Sequence, residues 1–149
     1  MSEPLIGLTR LEDSEQAAGA IRQLWGDVPV EGAVALIAMP VGPQGETGAR
    51  ATPLWLIEAA AKHLMARGAT VRVVCVPERL DEGRMFAESV RALEAVGLEV
   101  VVDPVYRDVT IGGEIVSEAA VLTAVSDAQH VAVISSVAPH RHLTLSSPL

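Results

Sequence analysis

Short apolar runs alternate along this chain with segments in which apolar residues recur every three or four positions. The runs cover residues 4–9, 32–42, 70–77, 98–105 and 130–135. An apolar run of this length, closed by turn residues, is typical of a strand that is buried on both faces of a parallel sheet. The pattern therefore predicts five strands, with the run at 32–42, which contains Pro40 and ends at Gly42, at the centre of the sheet.

Helical periodicity occupies the segments between these runs. Apolar spacing and end signals predict helices over residues 13–26, 52–68, 81–97 and 117–128. In the second of them, Thr52 is predicted as the N-cap, Pro53 as the first helical residue and Gly68 as the stop. Gly97 is predicted to close the third helix in the same way.

Strands that alternate with helices favour a parallel sheet with right-handed crossovers. One segment breaks the alternation, because Gly112 and Gly113 lie between short apolar pairs, and it predicts a small hairpin near 106–116. The chain has 149 residues, which is the size of one ordinary domain. The predicted fold is thus a single α/β domain over residues 1–149. It is Rossmann-like and three-layered, with a mostly parallel sheet and helices on both faces.

Composition narrows the range of partners. Only 3% of the residues are aromatic and the net charge is −8, so we expect no nucleic-acid partner, because an acidic surface repels a phosphate backbone. No apolar run approaches the roughly 20 residues that cross a bilayer, and the first residues are unlike a signal peptide. We therefore expect a cytoplasmic protein without a membrane partner. Cys75 is the single cysteine, which excludes an internal disulfide.

The best-equipped loop follows the strand at 32–42. In parallel α/β sheets ligands bind beyond the carboxyl ends of the strands, where loops lead into helices. This loop holds Gly45, Glu46, Thr47 and Arg50, and it leads to Thr52 at the start of a helix. Free amides at a helix N-terminus and an arginine can together bind an anion, which predicts a small anionic substrate. In the alternative interpretation, the glycines only allow turns and the charges are solvated.

The segment after the last predicted strand carries His140, Arg141 and His142. It begins at the same edge of the sheet, so His142 and His140 are candidate acid and base, with Glu46 to orient an imidazole and Arg141 or Arg50 to bind a carboxylate. Two histidines in alternation can also hold a metal, but a third ligand would have to come from elsewhere, and we expect no metal. In the alternative interpretation, this segment is a frayed tail.

Other residues with reactive side chains are predicted to be structural. Cys75 lies within an apolar strand and is expected to be a buried small hydrophobe rather than a nucleophile. His63 lies in the middle of a helix and His130 opens a strand. Glu58 and Lys62 are four residues apart on one helix and are expected to pair on its surface.

The segments "VALIAMP", "ATPLWLIEAAAKHLMARGATVRVVCVPE" and "SDAQHVAVISSVAPHRHLT" resemble, in order and spacing, the family catalogued as domain of unknown function 362. That family shows a strand ending in Lys-Pro-Asn and a late strand ending in Lys-Thr-His. Here Met39-Pro40-Val41 and His140-Arg141-His142 stand in these places, so His142 is carried over and both lysines are absent. The resemblance implies a shortened member without the family's cysteine-rich iron–sulfur module.

A second resemblance is to D-glutamate cyclase-like proteins. Their Pro-x-Glu-Thr-Asp-Gly loop is similar to "GPQGETGARA", and their later strand ends in Ile-Glu-Arg where this chain reads Ile134-Ser135-Ser136. Both resemblances imply that polar loops from these two strands lie together.

Two classes of function follow. The first is an enzyme that performs cofactor-independent acid/base chemistry, namely a cyclisation, isomerisation or elimination, on a small carboxylate or carbonyl compound, as in a biosynthetic pathway. The second is a non-catalytic ligand-binding or accessory subunit that has lost the family's lysines. In either case we expect the chain to form a homo-oligomer.

Overall fold

The computed structural model describes residues 14–26, 30–38, 52–75, 83–102, 105–113 and 117–135. The helices and strands in chain order are α1 (Ser14–Trp25), β1 (Gly32–Ala38), α2 (Leu54–Met65), β2 (Ala69–Cys75), α3 (Gly83–Ala95), β3 (Glu99–Val101), β4 (Tyr106–Thr110), β5 (Glu118–Leu122), α4 (Thr123–Ser126) and β6 (His130–Ile134).

The main sheet has four strands in the order β3-β2-β1-β6, and every neighbouring pair is parallel. Its longest strands are β1 and β2, whose side chains are mostly buried, as their continuous apolar runs predict. The predicted central place of β1 is confirmed, because it has β2 on one side and β6 on the other. The predicted strand at 98–105 is shorter in the structure, where β3 covers only Glu99–Val101.

One face of the sheet packs against α1, α2 and α3 and forms the main core. Alternate residues of β1 and β2 supply the sheet side, and α2 supplies most of the helix side. The core residues are Ile21, Val34, Leu36, Ala38, Ile57, Ala60, Ala61, Leu64, Ala69, Val71, Val73, Cys75, Leu93 and Leu98. Alanine on α2 lets the helix approach the sheet closely, so that small and branched side chains fill most of the layer, and Trp25 is partly buried against it.

The opposite face of the sheet carries α4 and a two-stranded antiparallel hairpin. Arg72 and Val74, which point away from the main core, line one cavity together with Leu122 and Thr123. The hairpin consists of β4 and β5, with Tyr106 paired to Leu122. These elements complete the three layers, and the mixed α/β, Rossmann-like fold class is confirmed.

The hairpin corrects one predicted element. Residues 117–128 were expected to be a single helix, but residues 118–122 form β5 and only Thr123–Ser126 are helical. The sequence "EAAVL" favours a helix by intrinsic propensity, and its pairing with β4 overrides that preference. The hairpin predicted near 106–116 is present, with its second arm further along the chain.

Helix ends agree with the predicted signals at two glycines and disagree at one cap. Gly68 and Gly97 have φ values of 92° and 85°, the left-handed conformation that ends a helix, after α2 and α3. The N-cap of α2 is Pro53 rather than Thr52. The strand predicted at 4–9 lies outside the described residues. Within the described segments, no helix has both the length and the apolar character needed to cross a membrane.

Candidate functional site

The carboxyl ends of β1, β2 and β6 lie side by side at one edge of the sheet. Ala38, the last residue of β1, pairs in register with Cys75 on one side and with Ile134 on the other. The strand order reverses at β1, since β2 and β3 follow on one side and β6 lies on the other. Ligands in open parallel sheets bind at such a reversal, beyond the carboxyl ends of the strands. By this rule the candidate site lies beyond the carboxyl ends of β1 and β6, a position called the crevice between β1 and β6 below.

Thr52 ties the start of α2 to this edge. Its side chain is 1% exposed, and its hydroxyl donates a hydrogen bond to the Ile134 carbonyl oxygen at 3.2 Å. The hydroxyl therefore bonds the neighbouring strand instead of capping the helix, which explains why the predicted N-cap was wrong. As a result, the amino end of α2 is held beside the carboxyl ends of β1 and β6.

Among the described residues, no side chain caps the amino end of α2. Pro53 has φ −56° and ψ 136° and makes no side-chain cap, and the first turn contains no acidic residue. The amides of Leu56 and Ile57 donate to the Pro53 carbonyl oxygen. A first turn without a side-chain cap leaves the positive end of the helix dipole directed at whatever lies beyond it. This electrostatic arrangement suits an anion at the crevice.

Cys75 closes β2 at the same edge, but its thiol is inert. The side chain is buried, and desolvation by burial raises its pKa from 9.0 to about 12. The thiol is therefore protonated at neutral pH and has no nucleophilic thiolate form there. The prediction that Cys75 is a small hydrophobic residue of the core is confirmed.

Of the side chains predicted to form the site, the structure describes Thr52. It is buried and bonded to Ile134, so its contribution is to position α2 rather than to touch a ligand. The other predicted site residues lie outside the described residues: Gly45, Glu46, Thr47, Arg50, His140, Arg141 and His142. The structure shows where the two segments that carry these residues begin, because the chain leaves β1 and β6 at adjacent positions.

A groove at the amino ends of the strands contains residues whose proximity the sequence did not predict. It has a volume of about 500 Å³ and lies between the ends of α1 and α2 and the strand β6. His63 and Trp25 contact across it with ring centroids 6.2 Å apart, and the Arg67 guanidinium donates to the Gly26 carbonyl oxygen at 2.8 Å. His130 also lines it. These residues lie on different elements, and no local spacing signals that they meet.

A second cavity, of about 300 Å³, lies between the sheet and the hairpin. Its lining is mainly apolar and includes one ion pair, Arg72 with Glu99, and the carboxylate of a second, Asp127. Arg72 bonds Glu99 at 2.8 Å, and Arg107 bonds Asp127 at 2.6 Å. Because both guanidinium groups already have carboxylate partners, this cavity offers an anion less than the crevice does.

Metal ligation has no basis in the described part of the chain. No group of three or more His, Cys, Asp or Glu side chains there is arranged to hold a metal ion.

The predicted ion pair of Lys62 with Glu58 is confirmed, at 2.5 Å.

Comparison with known proteins returns no match to a family model, to a curated protein or to a solved structure. Function is therefore inferred from the sheet edge, the start of α2 and the sequence of the two segments that leave that edge.

Proposed function

We propose that this protein binds a small anionic carbonyl or carboxylate compound in the crevice between β1 and β6 and transfers protons on it without a redox cofactor. The reaction class is a cyclisation, isomerisation or elimination. The observation that carries the proposal is the pairing of Ala38 with Ile134, together with the Thr52 hydrogen bond that holds the amino end of α2 beside them. This edge offers a helix terminus suited to an anion, at a reversal of strand order.

The segments that leave β1 and β6 carry the chemistry in this proposal. His142 and His140 exchange protons with the substrate, because an imidazole titrates near neutral pH. Glu46 orients one imidazole. The substrate anion is bound by Arg50, Arg141, Thr47 and the amide of Gly45, and Thr52 positions the helix.

The proposal draws support from the resemblance to the domain of unknown function 362 family and to D-glutamate cyclase-like proteins. Both place polar groups at the ends of the strands that correspond to β1 and β6. We also propose that the protein is cytoplasmic and forms a homo-oligomer, as its composition leads us to expect. The alternative is a non-catalytic ligand-binding or accessory subunit, which would use the same crevice without the proton transfer.

Proton transfer can be tested before the product is known. The wild-type protein is incubated in D₂O with a panel of small 2-oxo acids and dicarboxylates, including pyruvate, 2-oxoglutarate and malonate, and loss of the α-proton signals is followed by ¹H NMR. We expect exchange that falls by about 100-fold or more in the His142→Ala variant, the usual contribution of a general acid or base. The His140→Ala variant is measured in parallel.

The matched control is His130→Ala, because His130 is the first residue of β6 and lies at the opposite end of that strand. It should exchange substrate protons at the wild-type rate. If the panel compounds bind but no variant changes the exchange rate, the accessory-subunit alternative replaces the enzyme. Absence of both binding and exchange would contradict a site for small carboxylates in the crevice.

A further inference from the structure

The hairpin of β4 and β5 stands outside the alternation of strands and helices, and it walls off a cavity against the main sheet. The cavity has a volume of about 300 Å³. Its sheet side includes Val74 of β2 and Val101 of β3, and its other side includes Leu122, the last residue of β5. The hairpin thus encloses a space that the parallel sheet by itself would leave as an open surface.

Apolar side chains line this cavity at every depth. Val74 is 2% exposed, Val102 is 36% exposed and Val105 is 64% exposed, and all three contribute to the lining. The cavity therefore deepens from the hairpin towards the sheet. Water gains little from contact with such walls, so an apolar occupant that displaces it is favoured.

The charged side chains among the described lining residues are balanced by partners. Arg72 bonds Glu99 at 2.8 Å, and the Asp127 carboxylate accepts from Arg107 at 2.6 Å. An ionic ligand would lose its water in this cavity without gaining an unpaired charge of opposite sign. Thr123 adds an uncharged polar side chain to the lining. The chemistry of the cavity therefore favours an uncharged ligand with a small polar group.

Contacts at the base of the hairpin hold the cavity wall in place. The Thr123 amide donates to the Val105 carbonyl oxygen at 2.8 Å, which joins the two arms where they leave the hairpin. The Arg107 guanidinium of β4 donates to the Ser126 hydroxyl and to the Asp127 carboxylate at the end of α4. Ligand cavities are usually formed before the ligand binds, and this wall meets that requirement.

The volume sets the size of the ligand. An apolar cavity of about 150 Å³ holds one benzene ring, so the cavity of about 300 Å³ has room for two fused rings. We propose that the cavity between the sheet and the hairpin binds an uncharged two-ring aromatic compound, with its rings among Val74, Val101 and Leu122. This ligand differs in charge and in size from the small anion proposed for the crevice, so the two sites are separate.

The first experiment is an NMR titration of the unaltered full chain with labelled valine and leucine methyl groups. The probes are 2-naphthol, which is uncharged at neutral pH, and 2-naphthoate, an anion with the same two rings. We expect saturable methyl shifts at Val74, Val101 and Leu122 with 2-naphthol, and binding of 2-naphthoate that is weaker by about tenfold or more. Shifts that do not saturate, or equal affinity for the two probes, would overturn the proposal.

The second experiment fills the cavity by substitution. Ala124 lines it from α4, so Ala124→Leu adds three carbon atoms to the space and should weaken 2-naphthol binding by about tenfold or more. The matched control is Ala120→Leu, which adds the same atoms at an exposed position of β5 and should bind as the wild type does. Unchanged methyl signals of Val34 and Leu36 in the main core show that each variant is folded. Wild-type affinity in a folded Ala124→Leu protein contradicts the proposal.

Discussion

Replacing Thr52 by valine isolates the hydrogen bond that joins α2 to β6. Valine has nearly the shape of threonine but no hydroxyl, so the Ile134 carbonyl oxygen loses its donor while the packing around the side chain is kept. Thr52 is 1% exposed, so water cannot readily replace the lost donor. The variant therefore changes one contact at the candidate site and little else.

The size of the effect follows from the geometry. The donor–acceptor distance is 3.2 Å, which is long for a hydroxyl donor, so the bond lies in the weaker half of its class. We expect Thr52→Val to lower the free energy of unfolding by about 1 kcal/mol. Thr52→Ser keeps the hydroxyl and loses one buried methyl group, which also costs about 1 kcal/mol. Thr52→Ala loses both and should cost about 2 kcal/mol.

Urea unfolding measures these free energies, and hydrogen exchange separates their causes. Thr52→Val and Thr52→Ala should speed exchange at the start of α2 and at the end of β6. Thr52→Ser should leave exchange in both segments as in the wild type, despite its similar loss of stability. If Thr52→Val exchanges like the wild type in residues 53–57 and 130–135, the hydrogen bond does not hold these elements together, and the reasoning is wrong.

Three further perturbations test the fold. Gly32→Ala should cost about 1–3 kcal/mol in urea unfolding, because Gly32 has φ 93°, where an L side chain is strained. The new Cβ also displaces the Gln129 side-chain oxygen, which accepts from the Ala33 amide, and wild-type stability of the variant would contradict this conformation of Gly32. Leu36→Ala, at 0% exposure in the centre of the sheet, should cost about 2–5 kcal/mol, and a loss below about 1 kcal/mol would contradict its place in the core. Burial raises the pKa of the Cys75 thiol to about 12, so the native protein should resist thiol reagents at about pH 8. The stability that the protonated Cys75 thiol contributes is present below its unfolded pKa of 9.0 and is lost as pH rises towards 12, because the unfolded chain loses the thiol proton first. Rapid labelling of Cys75 in the native protein would contradict the burial.

The parallel sheet was predictable because its strands are continuous apolar runs. The runs that contain β1 and β2 are bounded by turn residues, and a strand covered mostly on both faces needs no strict alternation. The ends of α2 and α3 were predictable from Gly68 and Gly97, because a left-handed residue there has few alternatives to glycine.

The second arm of the hairpin could not be predicted from local pattern. Residues 118–122 are good helix formers, and what decides their conformation is antiparallel pairing with Tyr106–Thr110. The same holds for the cap of α2. The pattern "ATPLW" favours Thr52 as N-cap, but its hydroxyl bonds Ile134, which is 82 residues away in the chain.

That the carboxyl ends of β1 and β6 share one edge was predictable, and the groove beside Trp25 was not. Parallel strands end at the same edge of a sheet, whereas the direct pairing of Ala38 with Ile134 is visible only in the structure. The contact of Trp25 with His63 depends on how α1 packs against α2, since the two residues belong to separate helices. Helix packing of this kind leaves no spacing signal in either segment.

The proposed function requires that a small anion binds in the crevice between β1 and β6. The most direct measurement is a titration of the ¹⁵N-labelled protein with malonate and pyruvate, followed by amide chemical shifts. We expect saturable shifts at Ala38, Leu54 and Ile134, and weaker binding in the His142→Ala variant. Shifts confined to the groove around Trp25 and His63, or no saturable shift with either anion, would contradict it.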